Sequence, residues 1–247
     1  MKLLAADTSS RSLGLAVLEG EELRAEITIH RRGTHSRTLM RLVETALGLA
    51  GLELAELDGL AAVAGPGSFT GLRIGLSTLK GLALGLGKPV VGISSLEALA
   101  HQLPETADPI WVLVDARKGQ VYRGAYRWTP SGPEELVEPA VLAPEAVAQE
   151  IRRPALLAGD GALLYRDLLE QETRGGARLA PAGVHTLRAS TVARMAHARL
   201  VAGTTGEPAL LTPLYLRPSD AELARAAGQV FIDTRFGHRL YRPNDLR

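Results

Sequence analysis

Three aspartates each close a short apolar run and open a turn. Asp7 follows Leu3-Leu4-Ala5-Ala6, Asp115 follows Ile110-Trp111-Val112-Leu113-Val114, and Asp160 stands between Gly159 and Gly161 after Ala155-Leu156-Leu157-Ala158. A carboxylate fixed at a strand end can hold a magnesium–phosphate group, and glycine beside it lets a ligand approach the backbone. The same residue is also a common turn former, because its side chain bonds its own backbone two residues on. On the chemical reading, Asp7, Thr8, Ser9, Asp115, Gly159, Asp160 and Gly161 form a candidate nucleotide site. Against it, neither Asp7 nor Asp115 runs on into the Gly-Thr of a phosphate loop: Thr8-Ser9-Ser10 follows the first, Ala116-Arg117-Lys118 the second.

Other chemistry is excluded more firmly. The chain has no Cys, so disulfides, thiolate metal sites and Cys nucleophiles are impossible. The six histidines are His30, His35, His101, His185, His197 and His238, and no two are four apart, so no helix face presents a His pair to a metal. Gly87-Lys88 is followed by Pro89, which fails the phosphate-loop pattern, and Gly65-Pro66-Gly67-Ser68-Phe69 is not a serine nucleophile elbow. No catalytic residue, metal or cofactor is expected.

The most distinctive stretch is Gly65-Pro66-Gly67-Ser68-Phe69-Thr70-Gly71-Leu72-Arg73-Ile74-Gly75. It follows the apolar run Leu60 to Ala64 and reads as strand, tight turn and helix, the helix over Leu72 to Leu86 with Ser68 or Thr70 as its cap. Gly75, Gly81 and Gly85 lie inside that helix, where each costs about 0.5–1 kcal/mol against Ala. A helix that tolerates this lets another backbone come close. The readings are tight packing on the helix's own sheet, a phosphate cradle at the helix start, or a docking face for a second protein's helices.

The elements around these residues are those of an α/β chain. Leu3–Ala6, Leu13–Val17 and Leu23–Ile29 read as a three-strand meander, followed by a polar loop over His30 to His35. A helix is expected from Ser36 to Ala50, with Leu39, Leu42, Val43, Ala46, Leu47 and Ala50 on one face and Gly51 at its end. Met40 and Leu49 fall off that face. Pro89–Ile93 reads as a strand and Leu96–Leu103 as a helix. After a Pro-bounded linker at 104–109, the opening repeats: Leu3–Asp7 is matched by Trp111–Asp115, and Leu13–Val17 by Val121–Ala125, at a constant offset of 108 residues. Short helices are expected over Pro144–Ile151 and Leu163–Glu170, a longer one over Ser190–Val201, and an extended segment over Pro208–Pro218. Beyond Ser219 the pattern is weak, with a helix at Ala221–Ala227 and a loose or hairpin tail.

The totals fit a sizeable aliphatic core. Of 247 residues, 46% are apolar and only 4% aromatic, and 28 basic against 27 acidic residues leave a net charge of +1, which argues against a free-standing nucleic-acid binder. No 18-residue apolar run occurs, and the first residues read as a strand, so a cytoplasmic protein is expected.

The chain resembles the TsaB (YeaZ) family of tRNA threonylcarbamoyladenosine biosynthesis proteins. The segments that carry the resemblance are Leu4–Ser9, His35–Leu39, Gly65–Gly75, Pro89–Leu99, Asp115–Tyr122 and Pro213–Arg217. The resemblance implies an actin-like (ASKHA, ribonuclease H-like) fold of two duplicated lobes: 1–107 with partner-binding helices, 108–218, and a tail 219–247 of unassigned role. It implies a non-catalytic subunit that pairs with the catalytic relative TsaD, joined by the ATPase TsaE. It also implies a homodimer through the same helices, and tRNA as a partner of the complex. On this reading the pairing residues are Leu39, Met40, Val43, Gly71, Arg73, Ile74, Gly75, Thr78, Lys80 and Gly81, with Arg73 and Lys80 at the rim. A Gly75→Leu replacement is then expected to block pairing while leaving the lobe folded. The alternatives are an active actin-like kinase or ATPase with nucleotide between the lobes, and, least favoured, a peptidase.

Overall fold

The computed structural model describes residues 1–30, 36–203, 207–217, 230–234 and 237–241; His35 and the helix expected at Ala221–Ala227 lie outside them. The chain forms two compact units, Met1–Leu214 and Tyr215–Arg247. In the second, β11 (Val230–Thr234) pairs antiparallel with β12 (Gly237–Tyr241).

The first unit holds two five-stranded sheets of one design. In the first sheet β1 (Lys2–Asp7) pairs antiparallel with β2 (Ser12–Glu19) and parallel with β4 (Gly59–Gly65). β3 (Glu22–His30) and β5 (Val90–Ser94) form its edges, giving the order β3-β2-β1-β4-β5. In the second, β6 (Ile110–Arg117), β7 (Gln120–Thr129), β8 (Gly132–Leu142), β9 (Ala155–Ala158) and β10 (Ala177–Leu179) give β8-β7-β6-β9-β10, the same order. The duplication read from the openings therefore extends to whole sheets. Register differs by one residue: Ala5 faces Ala16, whereas Leu113 faces Arg123, not Gly124. The cause is the tight second turn, where Arg117, Lys118 and Gly119 all have positive φ and the ladder shifts between Asp115 and Arg117.

The strands β1 and β4 are buried on both faces, as strands covered by helices must be. α1 (Ser36–Ala50) packs on β2 and β3 with Leu39, Val43, Ala46, Leu47 and Ala50 buried. Gly51 follows at φ 68, and the Leu52 N–H reaches back to the Leu47 carbonyl at 3.0 Å, closing the helix end. α2 (Phe69–Leu86) covers β4. Ser68 is its cap, accepting the Gly71 N–H at 3.2 Å, and Gly87 at φ 64 ends it. α3 (Ser95–His101) starts at Ser94, whose hydroxyl accepts the Glu97 N–H.

Later helices are α4 (Pro144–Glu150), α5 (Asp160–Leu164), α6 (Arg166–Glu172) and α7 (Ala189–Val201). The sequence places α7 in the second lobe, but it packs on β1, β2 and β5 of the first sheet. Its start is held by Glu26 of β3, which accepts the Ser190 N–H at 2.9 Å and pairs with Arg188. Farther along, Arg199 grips both oxygens of Glu97 on α3 at 2.8 Å. The extended stretch expected at Pro208–Pro218 contains one 3-10 turn, Pro208–Leu210.

Candidate functional site

The strand-end turns of the two sheets do meet. Ser9, Ser10, Arg11, Ser12 and His30 from the first sheet face Val114, Asp115, Asp160, Leu164 and the loop His185–Leu187 across a cleft of about 270 Å³. Pockets that take drug-sized ligands run about 300–1,000 Å³.

Of the residues expected to hold phosphate, Ser9, Asp115 and Asp160 line this cleft while Asp7, Thr8, Gly159 and Gly161 do not, and most of the set bond to the protein instead. Asp7 is buried, and its Oδ1 accepts the Ser9 N–H at 2.8 Å and the Ser9 hydroxyl at 2.6 Å. Thr8 turns away and donates to the Gly71 carbonyl at 2.7 Å. Asp160 Oδ1 accepts the Asp115 N–H at 3.0 Å, and Asp115 accepts the Arg117 N–H at 2.8 Å while pairing with its guanidinium at 3.1 Å. Burial pushes the Asp160 carboxyl above its ordinary range, and the nearby Asp115 charge adds to this. Gly159, at φ 97, needs glycine for a reason inside the chain: a Cβ there would sit 2.1 Å from the Leu113 carbonyl oxygen, and one at Gly161 2.9 Å from it. Among the described residues no group of three or more His, Asp or Glu side chains could hold a metal ion.

Sequence reasoning missed the cleft's other members. His185 is buried, its ring nitrogens 3.2 Å from the Gly159 carbonyl and 3.0 Å from the Ala180 carbonyl, so it fastens the connecting loop. Gln102 at the end of α3 holds the same loop, donating to the Val184 and Thr186 carbonyls and accepting the Arg188 N–H. A lone His and a lone Gln carry no spacing signal. Only the fold assembles them.

The second candidate is the outer surface of α1 and α2, and here the structure divides the expected residues. Leu39, Val43, Gly71 and Gly75 are buried within the chain and cannot touch a partner. The two glycines serve internal packing: a Cβ at Gly71 would lie 2.0 Å from the Thr8 carbonyl oxygen, and one at Gly75 2.2 Å from the Thr8 hydroxyl. Gly67 is likewise pressed on the Ser9 carbonyl, which also accepts the Ser68 N–H. Lys80 is not a free rim charge. Its ammonium bonds the Ala209 and Leu211 carbonyls at 3.2 and 2.9 Å and straps that segment to α2. Ile74 and Thr78 are half-buried, and Arg73 is exposed with its guanidinium 3.9 Å above the Phe69 ring.

What remains outward mixes polar side chains, Arg41, Glu44, Arg73 and Ser77, with small and apolar ones. At Gly48 on α1 and at Gly81 and Gly85 on α2, nothing among the described residues lies within 4 Å of the place a Cβ would take. On the same two helices Met40 is 38% exposed, Leu49 70% and Leu84 62%. No helix among the described residues is long and apolar enough to cross a membrane.

Comparison with known proteins gives this geometry a family setting. The family model of TsaD, tRNA N6-adenosine threonylcarbamoyltransferase, matches residues 22–224. The chain is 32% identical to the tRNA threonylcarbamoyladenosine biosynthesis protein TsaB of Bacillus subtilis, over 90% of this chain and 96% of that one. It superposes on the YeaZ structure from Pseudomonas aeruginosa with a TM-score of 0.76 at 30% identity, covering 87% of this chain and 99% of that one. A dehydratase activator from Clostridium difficile, solved with bound ADPNP, shares the fold at a TM-score of 0.50 and 13% identity over 82% of this chain and 97% of its own.

Proposed function

The chain belongs to the TsaB (YeaZ) family of tRNA threonylcarbamoyladenosine biosynthesis proteins, with an actin-like two-sheet fold, and from that premise we propose that it acts as a non-catalytic subunit pairing with TsaD. The pairing surface is the outer face of α1 and α2. One observation carries this reading: Gly81 and Gly85 sit on an exposed helix face where no described residue of their own chain gives a steric reason for glycine. Each weakens the helix by about 1 kcal/mol relative to Ala. A neighbouring backbone packed against the face supplies the reason, with exposed Leu84 on α2 and exposed Met40 and Leu49 on α1 adding apolar area. Without TsaD, two copies pair through the same face, because an apolar surface of this kind is rarely left in water. TsaE joins the pair, tRNA is met as part of the complex, and the site of action is the cytoplasm.

The absence of catalysis is part of the proposal. Its support is that Asp7, Thr8 and Asp160 bond within the chain.

The test replaces Gly81 and Gly85 by Leu, singly and together, and measures retention of the chain on immobilised TsaD. Binding is expected to fall at least about tenfold, since each Leu intrudes on a close helix contact, while the melting temperature stays level or rises. Undiminished retention by the double variant overturns the pairing surface.

A further inference from the structure

At the opposite ends of the strands that form the cleft, two loops bring exposed arginines together. β9 and β10 are parallel neighbours with Ala155 beside Ala177. The loop entering β9 carries Arg152 and Arg153, the loop entering β10 carries Arg174, and Arg178 follows one residue into β10; all four are exposed. Adjacent strands lie about 4.8 Å apart, so the loops form one surface.

Three features show that this surface is built around the arginines. First, Arg174 occupies the position just past the end of α6, at φ 48, where the Arg174 N–H bonds the Gln171 carbonyl and the Gly175 N–H the Glu170 carbonyl. Glycine is the usual residue in that closing motif, and a side chain there is strained. The chain keeps an arginine against local preference. Second, Gly176 forms a saddle for Arg153: a Cβ at Gly176 would lie 2.0 Å from Arg153 Cδ, and the guanidinium is steadied by the Glu172 carbonyl at 3.4 Å. Third, Arg152, Arg153 and Arg174 make no ion pair among the described residues, while Arg178 pairs with Asp108 at 3.1 Å and stays 62% exposed. Of the acids flanking the two loops, Glu150 pairs with Arg123 and Asp108 with Arg178, which leaves Glu170 and Glu172 beside three arginines without an acid partner among the described residues.

We propose that Arg152, Arg153, Arg174 and Arg178 form a contact for the phosphate backbone of RNA. This rests on the role in tRNA modification proposed above, with the substrate RNA as the occupant. Charge favours a polyanion, and guanidinium groups match phosphate oxygens in pairs. A protein partner would call for an apolar centre. None of the large exposed apolar side chains among the described residues lies in either loop. The surface faces away from the cleft, so phosphate contacts there orient the RNA and take no part in chemistry.

The experiment measures fluorescence anisotropy of a labelled tRNA transcript with the full chain, alone and mixed with TsaD, from about 50 to 200 mM salt. The variants are Arg152→Glu with Arg174→Glu, and Arg127→Glu as a control on exposed β7 surface. The double variant is expected to bind at least about tenfold more weakly and with a salt slope smaller by about 1–2, at unchanged melting temperature; the control is expected to match the parent. Equal affinity of the double variant and parent overturns the proposal, as does absence of RNA binding by the parent in both settings. Loss of TsaD pairing with RNA affinity intact also overturns it, because the patch is then a protein contact. Size-exclusion chromatography of the same samples reports the TsaD pair separately. A parent that binds RNA through these arginines but never pairs with TsaD therefore refutes the pairing role and leaves the patch standing.

Discussion

Residue by residue, the glycines of α2 have two unrelated causes. Gly71 and Gly75 admit the Thr8 backbone and hydroxyl from within the lobe, whereas Gly81 and Gly85 meet none of the described residues of their own chain. Gly75→Leu is therefore expected to unsettle the lobe, contrary to the sequence-based expectation that it blocks pairing alone. The first side-chain carbon would lie 2.2 Å from the Thr8 oxygen, which is itself hydrogen-bonded to Gly71. A loss of about 3 kcal/mol or more follows from such overpacking, measurable by urea denaturation; a parent-like midpoint would show that β1 and α2 can separate freely. In the sequence both sets of glycines look alike. A helical period tells which side of a helix a residue is on, but only the fold shows which side has a neighbour.

Elements are fastened to one another by a few long-range polar contacts, and Glu26 is the clearest. Burial alone would raise its carboxyl, but the bonds from Arg188 and Ser190 outweigh that and hold it below the ordinary value of 4.5. A lowered folded-state value means stability present above pH 4.5 and lost as the pH falls through the lower folded value. Glu26→Gln is expected to cost about 1 kcal/mol at neutral pH, a modest figure because Arg188 is largely exposed. The deficit should shrink as the pH drops below 4.5. Denaturation curves from about pH 3 to 7 check this, and a pH-independent deficit would point to lost packing at the start of α7. Much at this level was legible beforehand. The helix at Ser36–Ala50 and the strands β1 to β5 follow from periodicity and turn residues, and of the two cap candidates, Ser68 and Thr70, the structure uses Ser68. Hidden were β8 and β10. In β8 Pro133 and Pro139 mask the alternation, and β10 spans only three residues.

For the protein taken entire, the repeated opening pointed to duplication, and the matching sheet orders extend it. What sequence could not show is where the cleft's groups point. Side chains that look poised for phosphate, Thr8 above all, bond to backbone from the neighbouring helix or turn instead. The cleft itself, about 270 Å³, is close to the lower end of the range for ligand pockets, so it is these internal bonds that speak against a nucleotide. Isothermal calorimetry of the isolated chain with magnesium and ATP is accordingly expected to show no binding tighter than about 1 mM. A micromolar signal, with turnover, would favour the kinase-like alternative.

The outward glycines also set a trap for protein engineering. Any programme that screens variants of this chain for heat resistance will be drawn to positions 81 and 85, where alanine or leucine strengthens the isolated helix. If the face pairs as proposed, its winners would survive hotter purification and fail inside the cell, because the assay never asked them to dock.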